Sequence, residues 1–79
     1  MTTVTAPMVG TFYRCPTPEE PPFVEPGSEV ESGAPLCLVE VMKLFTTIYA
    51  PCAGTVREVR AEDAELVEYG QVLFVIEPR

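Results

Sequence analysis

Apolar residues in this chain fall in short runs cut by proline and glycine, not in the three- and four-residue spacing of a helix. Nine prolines and five glycines punctuate the 79 residues, and no window longer than ten residues keeps an i, i+3, i+4, i+7 pattern. The one helical candidate, residues 61–70, is short and acidic. Short β segments fit better: residues 4–9, 11–14, 23–24, 36–41, 44–49, 54–60 and 72–76. That spacing predicts a small all-β sandwich or barrel.

One run does not fit a simple strand. "LVEVMKLFTTIYAP" (38–51) is rich in strand formers, yet Lys43 sits in its middle. A buried lysine would be costly, and a turn should show Gly, Asn, Asp or Pro, none of which occurs between Leu38 and Ala50. Internal repeats resolve the conflict. "APMVGT" (6–11) matches "APCAGT" (50–55) at an offset of 44, and "VESGAPLCLVE" (30–40) matches "VEYGQVLFVIE" (67–77) at an offset of 37. The paired glycines predict one tight-turn geometry used twice, and Gly33, Gly54 and Gly70 are assigned to turns.

The offsets differ by seven, so the first half carries about seven extra residues between Thr11 and Val30. "CPTPEEPP" (15–22), with four prolines in eight residues, is the expected insertion. Proline cannot donate to a ladder, so this stretch should protrude as a stiff loop. The first repeat ends at Glu40 and the second at Glu77, which puts Lys43 at the join. The apolar run is then two strands with Met42-Lys43 as the turn. Met-Lys supplies neither residue that a primed hairpin turn wants, and a broken local rule in an otherwise consistent sequence points to function.

Composition narrows the function. The chain is one small domain, residues 1–79, near the lower size limit for a self-sufficient core. A net charge of −7 disfavours nucleic acid and anionic membranes as partners. No apolar run is long enough to span a bilayer and the N-terminus has no signal-peptide pattern, so the chain reads as cytosolic. There is no histidine, and Cys15, Cys37 and Cys52 show no metal-ligand spacing. Neither a metal site nor Ser-His or Cys-His catalysis is expected, and Cys37 reads as a small core residue. Four of the five basic residues are arginines, which leaves Lys43 as the only lysine.

"EVMKL" (40–44), set between two half-repeats, resembles the biotinyl-lysine motif of biotin carboxyl carrier domains, usually Ala-Met-Lys-Met. "APMVGTFYR" (6–14) is similar to the opening of bacterial acetyl-CoA carboxylase carrier domains, and "CPTPEEPP" matches the place of that family's protruding thumb. "APCAGTV" (50–56) and "VEYGQVLFVIE" correspond to the closing strands. The resemblance implies a flattened barrel-sandwich of two four-stranded antiparallel sheets with quasi-twofold symmetry. It places Lys43 in an exposed hairpin and the termini together at the opposite end. It further implies that a biotin protein ligase joins biotin to the Lys43 ε-amine as an amide. The carrier then serves a biotin carboxylase and a carboxyltransferase, passing CO2 to an acyl-CoA, with acetyl-CoA and malonyl-CoA the expected pair. The carrier itself is not catalytic, since the cofactor carries the hard chemistry.

Within that frame Met42 is expected to be read by the ligase or partner enzymes, and Val41 and Leu44 keep apolar positions where the family commonly has Ala and Met. Glu40 reads equally as part of the motif or as a solvated strand-end carboxylate. The thumb offers contacts to the biotin ring from Cys15, Thr17 and Glu19; Cys15 stands where Thr is common, and a thiol is the poorer donor. The domain opens within about five residues of Met1, without the longer linker of typical bacterial subunits. A carboxylase for another substrate is therefore the alternative reading. A lipoyl carrier fits less well, because such domains typically show Asp-Lys-Ala at the hairpin. An unmodified interaction module leaves the lone lysine unexplained.

Overall fold

The computed structural model describes all of residues 1–79. It is all strand: β1 (Thr2–Thr5), β2 (Gly10–Tyr13), β3 (Glu29–Val30), β4 (Pro35–Val41), β5 (Leu44–Tyr49), β6 (Gly54–Val59), β7 (Glu65–Val67) and β8 (Val72–Pro78). They form two four-stranded antiparallel sheets, ordered β1-β8-β6-β3 and β5-β4-β2-β7. Advancing every strand by four places, counted cyclically, turns the first order into the second. The quasi-twofold is therefore built into the topology.

The repeats are the chemical trace of that symmetry. Gly33 (φ 89°) and Gly70 (φ 84°) occupy matching turns, closed by Ala34 N–H to Glu31 C=O and Gln71 N–H to Glu68 C=O, each 3.0 Å. Gly33 N–H then donates to Ala50 C=O and Gly70 N–H to Ala6 C=O, both 2.8 Å. These links tie each turn to the point where the chain crosses between sheets. Gly54 departs from its expected role: it opens β6 instead of forming a turn. A side chain there would run into the Glu77 carbonyl, and one at Gly10 would lie 2.8 Å from the matching Glu40 carbonyl. Both glycines permit close approach of two backbones.

The core contains no buried polar or charged residue. Equivalent positions fill it from both sides: Leu36 and Leu73, Val39 and Ile76, Val30 and Val67, all within 5% of fully buried. Two pairs trade size. Phe12 matches Val56, whereas Cys37 matches Phe74, and the two rings meet with centroids 5.9 Å apart. Each buried ring contributes about 2–3 kcal/mol. Cys37 is small because its partner position is large, and burial pushes its thiol up to about 12, which leaves it inert as a nucleophile at neutral pH.

Three expected elements differ. The strand expected over 4–9 ends at Thr5, because Ala6 spends its N–H on Gln71 C=O and Pro7 has none to give. Phe23 and Val24 are not a strand; Phe23 N–H closes the loop onto Arg14 C=O while Val24 packs into the core, and the strand forms later as β3. The acidic stretch 61–70 contains β7, after Ala64 turns with φ 66°.

Candidate functional site

The β4–β5 hairpin has a two-residue turn, Met42-Lys43, between the paired residues Val41 and Leu44. Both turn residues lie in the left-handed region, φ 51° and 67°, as a primed turn requires. For residues with a side chain that conformation is strained. Glu40 helps hold it: its Oε2 accepts the Lys43 backbone N–H at 2.8 Å. The carboxylate that sequence left between two roles is thus part of the tip. Val41 is half-buried with its Cγ2 over Gly10, so the extra bulk at this position rests where no side chain competes.

Beyond the turn the side chains are in solvent. Met42 is 88% exposed and Leu44 75%. Lys43 is exposed, and its ε-amine takes part in no ion pair or hydrogen bond. Every arginine, by contrast, is engaged: Arg57 with Glu77, Arg60 with Glu58, Arg79 with Glu29 and Glu31, and Arg14 through the Val24 carbonyl. A free primary amine on a rigid tip is suited to acylation. Both termini lie at the other end of the barrel, where Thr2 pairs with Ile76 and Pro78 with Gly54.

The insertion at 15–22 is a closed loop standing on Arg14. Arg14 N–H donates to Asp63 Oδ1 (2.8 Å), its C=O accepts from Phe23 N–H (2.9 Å), and its Nη2 donates to Val24 C=O (3.2 Å). The loop leans over the outer face of the β5-β4-β2-β7 sheet and encloses a cleft of about 430 Å³. Cys15, Pro16, Thr17 and Pro18 form one wall; Tyr13, Leu38 and Phe45 form the other. The Tyr13 and Phe45 rings are 6.2 Å apart. Cys15 and Thr17 thus face the same cleft as Phe45, two residues from Lys43, whereas Glu19 is exposed and does not line it. Tyr13, Leu38, Phe45 and Asp63 are additions to the site read from sequence. Their signal is alternation: all three apolar residues occupy outward positions of strands where polar residues are the norm.

A symmetric β domain that displays one lysine on a strained hairpin, remote from both termini, has the geometry that a carrier of a covalently attached group needs. The family model described as "Biotin-requiring enzyme" matches residues 2–76, and the chain belongs to this biotinyl/lipoyl domain family. It is 49% identical over 76 residues to the biotin carboxyl carrier protein of acetyl-CoA carboxylase 1, chloroplastic, of Arabidopsis thaliana, covering 96% of this chain and 27% of that one. Against the corresponding carrier proteins of Haemophilus influenzae and Pseudomonas aeruginosa, identity is 49% and 45%, over 94% and 92% of this chain and 48% and 47% of theirs. The chain thus spans between about a quarter and a half of these relatives. Among solved structures, a single-chain long-chain acyl-CoA carboxylase superposes with TM-score 0.84 at 23% identity, covering 99% of this chain and 7% of that one. The Kluyveromyces lactis urea carboxylase gives 0.80 at 24%, covering 96% and 6%. At that identity both show the fold alone. Biotin is the cofactor that the family and the relatives imply.

Proposed function

We propose that this chain is the biotin carboxyl carrier domain of a cytoplasmic acetyl-CoA carboxylase, with biotin held as an amide on Lys43. The observation that carries the reading is the single lysine, unpaired, on a primed turn whose left-handed positions are filled by Met and Lys instead of Asn or Gly. The residues fit the group. An unengaged amine is available for the amide, and a largely apolar cleft with a hydroxyl and a thiol on its wall lies beside it. When bound, biotin supplies a ureido nitrogen that takes up and releases a carboxyl group. The protein's part is positional: the hairpin presents the lysine stem at a fixed point, and tethering raises the effective concentration of the group at each catalytic centre. Cys15 and Thr17 on the cleft wall would be the thumb residues that touch the ring, with Tyr13, Leu38 and Phe45 shielding it from water. Met42 and Leu44 flank the lysine as features for the ligase and partner enzymes to read. The partners are a biotin protein ligase, a biotin carboxylase and a carboxyltransferase.

The test is intact mass after co-expression with a biotin protein ligase and excess biotin. One biotinyl adduct is expected on the wild type and none on Lys43→Arg, because a guanidinium will not form the amide. An unmodified wild type, or an adduct that survives the substitution, would sink the reading. A lipoyl adduct would replace it.

A further inference from the structure

The quasi-twofold supplies an internal control, since each position at the hairpin end has a counterpart at the terminus end in the same backbone setting. The Thr11–Leu66 pairing of one sheet is the Thr55–Glu29 pairing of the other. Yet the two ends carry different chemistry. Val9, Leu66 and Tyr69, which are 53%, 67% and 77% exposed, stand where the other end has Ala53, Glu29 and Ser32. Met42 stands where Arg79 binds Glu31 at 2.9 Å. Glu40 and Glu68 have no cation, whereas their counterparts Glu77 and Glu31 are paired with Arg57 and Arg79. The strand pairing is the same at both ends; the Arg79 ion pairs help hold the chain end in place, but the exposed apolar residues at the hairpin end have no such structural role.

Strand register places Leu66 across β2 from the hairpin strand β4, with Val9 just before β2 and Tyr69 just after β7 at the same end of the sheet. Gly10 pairs with Val67 and lies against Val41, and Thr11 pairs with both Glu40 and Leu66. The result is an apolar crown at the end of the sheet that carries Lys43, edged by the carboxylates of Glu40 and Glu68, which pair with no cation. Acylation removes the only cation of the tip, which takes the net charge from −7 to −8. We propose that this crown is a docking surface for the biotin carboxylase component, which meets it with an apolar centre inside a basic rim. The proposal rests on the carrier reading above and adds to it the surface and the chemistry of its partner. An enzyme acting on the tip must cover whatever surrounds Lys43, and one that also gathers bicarbonate needs a cationic entrance. Apolar residues at the centre of such a contact carry most of its free energy, while the charges at its edge govern encounter rate and salt dependence.

The symmetry also provides the substitutions. Val9→Ala, Leu66→Glu and Tyr69→Ser together copy the terminus end onto the hairpin end, using residues this backbone already accepts. The reverse set, Ala53→Val, Glu29→Leu and Ser32→Tyr, is the control. Each protein is loaded with biotin, checked by mass and thermal melt, and titrated into a purified bacterial biotin carboxylase while carrier-dependent ATP hydrolysis is followed. The crown variant should raise the KM for carrier about tenfold or more with kcat little changed, and the control should stay within about twofold. Wild-type KM should rise with salt. A single Glu68→Lys change covers the case in which the triple variant fails to fold or load. It should raise KM about threefold and flatten the salt dependence. An unmoved KM in the crown variant, an equal defect in the control, a lower KM for Glu68→Lys, or a defect confined to the carboxyltransferase step overturns the proposal. Absence of an adduct on the wild type sinks the carrier reading itself and is seen before any titration.

Discussion

Met42 and Lys43 hold φ angles of 51° and 67° where almost every hairpin of this type uses Asn, Asp or Gly. A left-handed residue with a side chain costs about 1–2 kcal/mol, and the turn contains two in succession. Such strain persists where the site is used for something other than stability. Lys43 cannot be relieved without losing the amine, but Met42 can. Met42→Asn should therefore raise the free energy of unfolding by about 0.5–1 kcal/mol, since Asn tolerates this region better. Urea denaturation measures it directly. A variant no more stable than the wild type would mean that Glu40 and the flanking strands already absorb the strain. The lysine was legible in the sequence because it broke the turn rule. The angles that make it a primed turn were not, because no residue there announces them.

At the level of elements, two kinds of glycine must be told apart. Gly33 and Gly70 need a positive φ in open space, whereas Gly10 and Gly54 need room between two chains. The penalties should differ accordingly. Gly54→Ala would press a methyl against the Glu77 backbone, which cannot swing away as a side chain could, and should cost about 3 kcal/mol. Gly33→Ala meets nothing and should cost only about 1 kcal/mol of backbone strain. Thermal or chemical melts of the two variants settle the order; equal losses would remove the distinction. The sequence repeats exposed all four glycines because each half imposes the same demand, but it could not say which demand. Strands β3 and β7, with two and three residues, are too short to show alternation, and β7 is hidden further by its acidic neighbours. The thumb was legible as an insertion from the difference in offsets. Its cleft was not, since that depends on the direction in which the loop leans, which Arg14, Asp63 and Phe23 decide.

For the whole molecule, the quasi-twofold makes the missing connection between the termini the counterpart of the Met42-Lys43 turn. Through the offsets of 37 and 44, Arg79 stands where Met42 stands and Met1 where Phe45 stands. Closing the ring at the far end therefore takes two added residues, in the places of Lys43 and Leu44. The thumb is the place to reopen it. None of residues 15–22 belongs to the core, and the loop's ends are already joined by the Phe23–Arg14 bond. A circular permutant with Gly-Thr inserted between Arg79 and Met1, and new termini between Pro18 and Glu19, should keep all eight strands and every core contact. It should melt cooperatively within about 5 °C of the parent, because exposed loop tips tolerate new termini. The ligase should still load it at Lys43, since the hairpin is untouched. An unfolded permutant would show that the thumb takes part in forming the barrel. A folded one that accepts no biotin would show that the ligase reads the thumb as well as the tip.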